Sequence, residues 1–135
     1  MSVITVAATI ILNEQNQLLL VRKKNTDFFM QVGGKLEENE APERTMLREI
    51  TEEIDAKADI QQFIGRFETR AANEAGHQLV SYVYHVILEQ APRINAEIVE
   101  MKWIALDHDP TWLAPLTNEI VIPWCLENIA NISTL

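Results

Sequence analysis

Apolar residues run almost unbroken over residues 3–12, rich in valine, isoleucine and threonine, and predict a buried strand. Polar residues 13–16 interrupt the run as a turn, and residues 17–21 resume it, so a hairpin is expected. Residues 22–27 are polar and read as a loop, and the short apolar run 28–32 leads into Gly33-Gly34. Two adjacent glycines allow a turn with positive φ and a close approach of backbone to a ligand. From Glu40 to about Asp55 the spacing becomes helical. Pro42 suits the first turn of that helix, Ala41 falls at its N-cap, and Met46, Leu47, Ile50 and Ile54 form the stripe expected to face the core. Further strands are expected over residues 60–69, 78–88 and 98–106, with a loop at 71–76 and a connector at 90–96. Residues 107–116 are irregular, and a last amphipathic helix covers 117–129, with Thr117 at its N-cap and a kink or late start at Pro123. No repeat or linker divides residues 1–135, so a single mixed α/β layered domain is expected.

Composition narrows the function. A chain of 135 residues is long enough to bury a core, and a net charge of −9 disfavours binding to nucleic acid, which needs a basic patch. Small phosphorylated ligands stay open, because a bound metal inverts the local field, and Arg22, Lys23, Lys24 and Lys35 flank the glycine pair. The single cysteine, Cys125, cannot form an internal disulfide, which suits a reducing compartment. The first residues lack a basic region and cleavage site of a secretion signal, and no apolar run is long enough to span a bilayer. A cytoplasmic protein without a membrane partner is expected.

One feature of the helix stands out chemically. Glu49, Glu52 and Glu53 sit at i, i+3 and i+4 and share a face, largely off the apolar stripe. Like charges at that spacing repel. A hard divalent cation, held by clustered carboxylate oxygens, would relieve the repulsion. The residues alone therefore point to a magnesium site beside the glycine pair.

The stretch from Gly34 to Ala56 resembles the Nudix box, with Gly34, Glu40, Arg48, Glu49, Ile50, Glu52 and Glu53 in register. It departs at Asp55, where the box has Gly, and at Ala56, where it has a larger aliphatic residue. Asp can take the left-handed conformation that ends the helix, at a modest cost. The resemblance implies a Nudix-type α/β/α sandwich with a mixed β-sheet. It also implies Mg2+- or Mn2+-dependent hydrolysis of a nucleoside diphosphate linked to another group X. The metal ligands implied are Glu49, Glu52, Glu53 and the Gly34 carbonyl, with Arg48 orienting a glutamate through Glu40 or Glu49. Lys35 is implied as a phosphate contact and Asn118 as a nucleobase contact. The catalytic base is a box glutamate, Glu49 or Glu52, or a glutamate on a later loop, Glu97 or Glu100, of which Glu97 has the spacing to Trp103 found in MutT-like members. A homodimer is also implied.

Other chemistry-bearing residues read as structural. His77, His85 and His108 show no metal-ligand spacing, Cys125 lies on an apolar helix, and Trp103, Trp112 and Trp124 read as core residues, with Trp112 in a loop that could also reach a ligand. The chain lacks a proline between Pro42 and Pro92, and its first tyrosine is Tyr82. It thereby departs from ADP-ribose and dinucleoside polyphosphate subgroups and comes closest to small MutT-like nucleoside triphosphate pyrophosphohydrolases. An ADP-ribose or nucleotide-sugar hydrolase is one alternative. A Nudix-fold nucleotide-binding or regulatory domain without catalysis is the other.

Overall fold

A computed structural model describes residues 2–72 and 76–129. Its elements run β1 (Val3–Ile10), β2 (Leu18–Lys23), β3 (Gly33–Lys35), α1 (Pro42–Ile54), β4 (Ala58–Arg70), β5 (Gln78–Leu88) and β6 (Ile98–Ile104). A short 3-10 turn at Pro110–Trp112, a π turn at Thr117–Val121 and α2 (Ile122–Asn128) complete the described chain. Four strands form a mixed sheet in the order β3-β1-β5-β4, with β1 and β5 parallel and the outer pairs antiparallel. β2 and β6 form a separate antiparallel pair.

Both faces of the sheet are covered at its central strands β1 and β5, which is why β1 reads as a continuous apolar run instead of an alternating one. Ala7 and Val86 pack with Met46, Ile50 and Ile54 of α1, together with Leu19 and Val21 of β2. Ala8, Ile10 and Val83 point the other way, toward Leu116, Val121 and Cys125, together with Leu18 and Leu20 of β2. The result is the expected α/β/α sandwich with a mixed sheet. Among the described residues, no helix is long and apolar enough to cross a membrane.

Several expectations change in the structure. The turn after β1 forms: Asn13 Oδ1 accepts from the N–H groups of Gln15 and Gln17, and Asn16 takes a positive φ of 60°. The hairpin stops after the Leu12–Leu18 bridge, however, because β2 leaves β1 to pair with β6. Gly33 and Gly34 form no turn. They are strand residues opposite Ala8 and Ala7, and neither has a positive φ. In α1, Leu47 is 37% exposed, and Thr45 and Glu53 are the additional buried positions. The last helix begins before Thr117, with the Asn118 N–H bonded to the Ala114 carbonyl. Thr117 is therefore no N-cap, and its hydroxyl instead donates to Gln31 Oε1 in the interior. Pro123 causes the expected disturbance as a π turn: Ile122 N–H reaches back five residues to Thr117, widening the helix where the proline ring would crowd a carbonyl.

Burial and exposure within α1 give opposite expectations for two neighbouring aliphatic residues. Ile50 is fully buried, so Ile50→Ala is expected to lower the unfolding free energy by about 2–5 kcal/mol. Leu47→Ala should cost under about 1 kcal/mol. Urea denaturation of both variants checks the pair.

Candidate active site

Strand β3 is crowded from two sides, by the backbone of β1 at Gly33 and by a carboxylate of helix α1 at Gly34. A Cβ on Gly33 would lie 2.1 Å from the Ala7 carbonyl oxygen, and one on Gly34 would lie 2.6 Å from the carboxyl carbon of Glu49. The close approach expected of the glycine pair is thus present, made by a protein carboxylate lying over the strand.

Glu53 lies deepest. It is 4% exposed, its Oε1 accepts from the Gly33 N–H at 3.2 Å, and its Oε2 pairs with Lys23 Nζ at 3.2 Å. Burial pushes its carboxyl up to about 7, reinforced by the charge of Glu49 and opposed by Lys23. Burial also raises Glu49, with the charge of Glu52 adding to the effect, while Lys23 and Arg48 oppose it. Glu52 is half exposed and reaches Arg48 only at 3.5 Å.

Arg48 is the hub of the acidic face. Its Nε and Nη2 donate to both oxygens of Glu40, at 3.0 and 2.9 Å, and its Nη1 donates to Glu49 Oε1 at 2.8 Å. Of the two partners expected for this arginine, both are used. Arg48 and the Thr45 hydroxyl together hold the Glu40 carboxyl down to about 2. Asp55 ends the helix in the left-handed region at φ 50° and ψ 48°, so it performs the glycine's conformational role. Its carboxylate pairs with Arg93, which offsets the unfavourable charge at a helix C-terminus.

Glu97 and Glu100 part company. Glu100 is bonded to Arg22 across the β2–β6 pair, with Nε to Oε1 at 2.7 Å, and so is engaged as a structural ion pair. Glu97 is exposed. Its loop is tied to the site from two sides: the Asn95 N–H bonds the Glu53 carbonyl, and the Glu97 carbonyl accepts from Lys24 N–H at 2.8 Å. Asn118 donates its side-chain N–H groups to the carbonyls of Pro110 and Leu113, at 3.1 and 3.3 Å, which makes it first a brace for that turn. Lys35, with Lys23, Gly34, Gln31 and Arg70, lines a cleft beside the acidic face. His85 is buried against Trp124, and Cys125 is fully buried with its thiol pushed up to about 12, so both are packing residues.

The donor chemistry suits a hard cation: oxygen ligands, two of them desolvated and carrying mutual repulsion. Among the described residues, though, no three His, Cys, Asp or Glu side chains converge as a ready ligand set. Lys23 and Arg48 pair with Glu53 and Glu49 and offset the repulsion between those carboxylates. The spacing of charges identified the acidic helix. The pairing of Lys23 with Glu53 had no local signal, because it joins β2 to α1 across the intervening chain.

Comparisons with known proteins agree with this geometry. A family model for the NUDIX domain matches residues 1–125, and the chain belongs to that family of hydrolases. A Bacillus subtilis (strain 168) protein named for 8-oxo-dGTP diphosphatase activity is 28% identical over 109 residues, 81% of this chain and 71% of that protein. In fold, the chain is similar to a MutT NUDIX hydrolase from Burkholderia pseudomallei, with a TM-score of 0.78, 23% identity and coverage of 91% and 98% of the two chains. It is similar also to a MutT protein from Methanosarcina mazei Go1, with a TM-score of 0.75, 17% identity and 97% of each chain covered.

The glycine pair and the buried acid generate two tests. Gly33→Ala drives a methyl into backbone and should cost about 2 kcal/mol or more, whereas Gly34→Ala meets a side chain able to swing away and should cost about 1 kcal/mol or less. Chemical denaturation reads both. The folded protein keeps Glu53 protonated to about pH 7, while the unfolded chain releases that proton near 4.5. The contribution is therefore full below about pH 4.5 and is lost as pH rises toward 7, on the order of 3 kcal/mol in total. In chelator-containing buffer, the difference in unfolding free energy between Glu53→Gln and the parent chain should grow in the variant's favour across that window.

Proposed function

We propose that the chain is a metal-dependent pyrophosphohydrolase cleaving a nucleoside diphosphate linked to another group, most simply a nucleoside triphosphate, to the monophosphate and a phosphate product. The observation that carries this reading is the Arg48-centred acidic face of α1, with Glu49 and Glu53 pressed on the glycine strand beside the cleft that Lys23 and Lys35 line. The name of the Bacillus subtilis relative supports the triphosphate class.

Glu49, Glu52 and Glu53, with the Gly34 carbonyl, are the residues that would hold Mg2+ or Mn2+. When bound, the ion neutralises the diphosphate and lowers the pKa of water near it. The chain's own groups do the rest. Arg48 fixes Glu40 and Glu49 in place, so the acidic face is ordered before substrate arrives. Lys23 and Lys35 offer positive charge to the diphosphate. A carboxylate of Glu49, Glu52 or Glu97 accepts the proton of the attacking water. The departure from the box at Asp55 would favour a domain without catalysis; its left-handed conformation and its pair with Arg93 support the catalytic reading instead. We place this activity in a single domain over residues 1–135, in the cytoplasm, on small nucleotides and not on nucleic acid.

The purified chain with MgCl2, tested against nucleoside triphosphates, ADP-ribose and nucleotide sugars, is expected to release phosphate or pyrophosphate from triphosphates foremost. Chelation should abolish turnover. Glu52→Gln and Glu53→Gln should each lower kcat/KM by about 100-fold or more. Unchanged rates in both variants would sink the assignment.

A further inference from the structure

The acidic face accounts for the diphosphate and leaves the other half of a nucleotide unread. The cleft beside it extends past Gln31, between Ala8 of β1 and Leu116. Gln31 is 4% exposed, and its Oε1 accepts from the Thr117 hydroxyl at 3.0 Å. Its Nε2 is buried and has no hydrogen-bond partner among the described residues. Such a donor is destabilising unless something fills it. The only other unpartnered buried side-chain atom found there is Ser81 Oγ, a hydroxyl that can rotate and that does not line the cleft. Gln31 does line it, and Val6, Ala8 and Leu116 give the same cleft apolar walls suited to a flat ring.

We propose that Gln31 reads the base: its Nε2 donates to the exocyclic oxygen at the 6-position of a purine or the 4-position of a pyrimidine. This rests on the hydrolase reading, which puts a nucleotide in the cleft. Thr117 acts as a positioning residue, fixing which end of the amide faces the ligand by donating to Oε1. The cleft then selects oxo bases, guanine, uracil and thymine among them. It rejects adenine and cytosine, whose amino groups at those positions would set donor against donor. A buried hydrogen-bonding group discriminates in this way because the wrong ligand leaves it unpaired.

The test is calorimetric titration of the full chain with α,β-methylene triphosphates of guanosine, uridine, adenosine and cytidine, paired with steady-state hydrolysis of the natural nucleotides. The parent chain should bind the guanosine and uridine forms at least about 10-fold more tightly than the other two. In Gln31→Met/Thr117→Val, both partners become apolar groups of similar shape, so the thermal midpoint should hold or rise while the base preference collapses toward unity. The loss should fall on KM for the oxo bases more than on kcat. Thr117→Val alone, which unfixes the amide, should weaken the preference in the same direction and serves if the double variant does not fold. A preference retained in the variants, or a parent preference for amino bases, overturns the proposal. Base-selective binding without hydrolysis would leave Gln31 as base reader and defeat the hydrolase reading. Hydrolysis with no base preference would do the reverse.

Discussion

The constraint on which the rest depends is the contact between a carboxylate-bearing helix and a strand that opens on two glycines. Gly33 and Gly34 let α1 settle until Glu49 lies on the strand and Glu53 bonds its backbone N–H. A Cβ at Gly34 would push back on that approach, and one at Gly33 would push β3 off the β1 backbone. The apolar stripe of Met46, Ile50 and Ile54 supplies the force that closes the gap, since each fully buried side chain contributes about 1.5–3 kcal/mol. Core burial on one side of the helix thus holds desolvated acids on the other. The raised carboxyl of Glu53 is the electrostatic consequence of the same packing.

Arg48 keeps that arrangement from flying apart. Its planar guanidinium serves Glu40 with two parallel bonds and Glu49 with a third, a fork geometry that a lysine could not reproduce. Glu40 precedes the helix and Glu49 is in its middle, so the arginine ties the entry loop to the acidic face. Lys23 balances Glu53 from the far side. Both cations come from outside the glutamate spacing, and together they make a site of several carboxylates tolerable in a protein already carrying a charge of −9.

How far the sequence could be read depended on how local each determinant was. The box register, the whole of β5 and the left-handed turn at Asp55 follow from residues adjacent in the chain, and each is where it was expected. The errors share a cause. The hairpin after β1, the turn at Gly33-Gly34 and the N-cap at Thr117 all assumed that a local signal would be used locally. Each was overridden by a partner far along the chain: β6 for β2, β1 for the glycines, Gln31 for Thr117. Leu47 misled for a related reason, because the helix rotates to bury Thr45 and Glu53 at the site and turns that leucine outward. For Glu100, a candidate base by sequence, the bond to Arg22 becomes visible only once the strands are in register.

The same distinction explains why the box cannot specify a substrate. Its residues lie within one strand–loop–helix unit, so one short segment carries the groups proposed to meet the diphosphate. The cleft that would hold the remainder of a ligand is assembled from β1, the segment before β3, the end of β4 and the turn before the π helix. Those pieces meet only through the two-sided sheet, and the Thr117–Gln31 bond joins positions 86 residues apart. A substitution at Leu116 can reshape the cleft without disturbing α1, because α1 packs on the opposite face of the sheet from Leu116 and Val121. In the proposed reading chemistry and selectivity are therefore separable: one is built on a helix face held by core packing, the other on a cleft whose strands and loops come from distant parts of the chain.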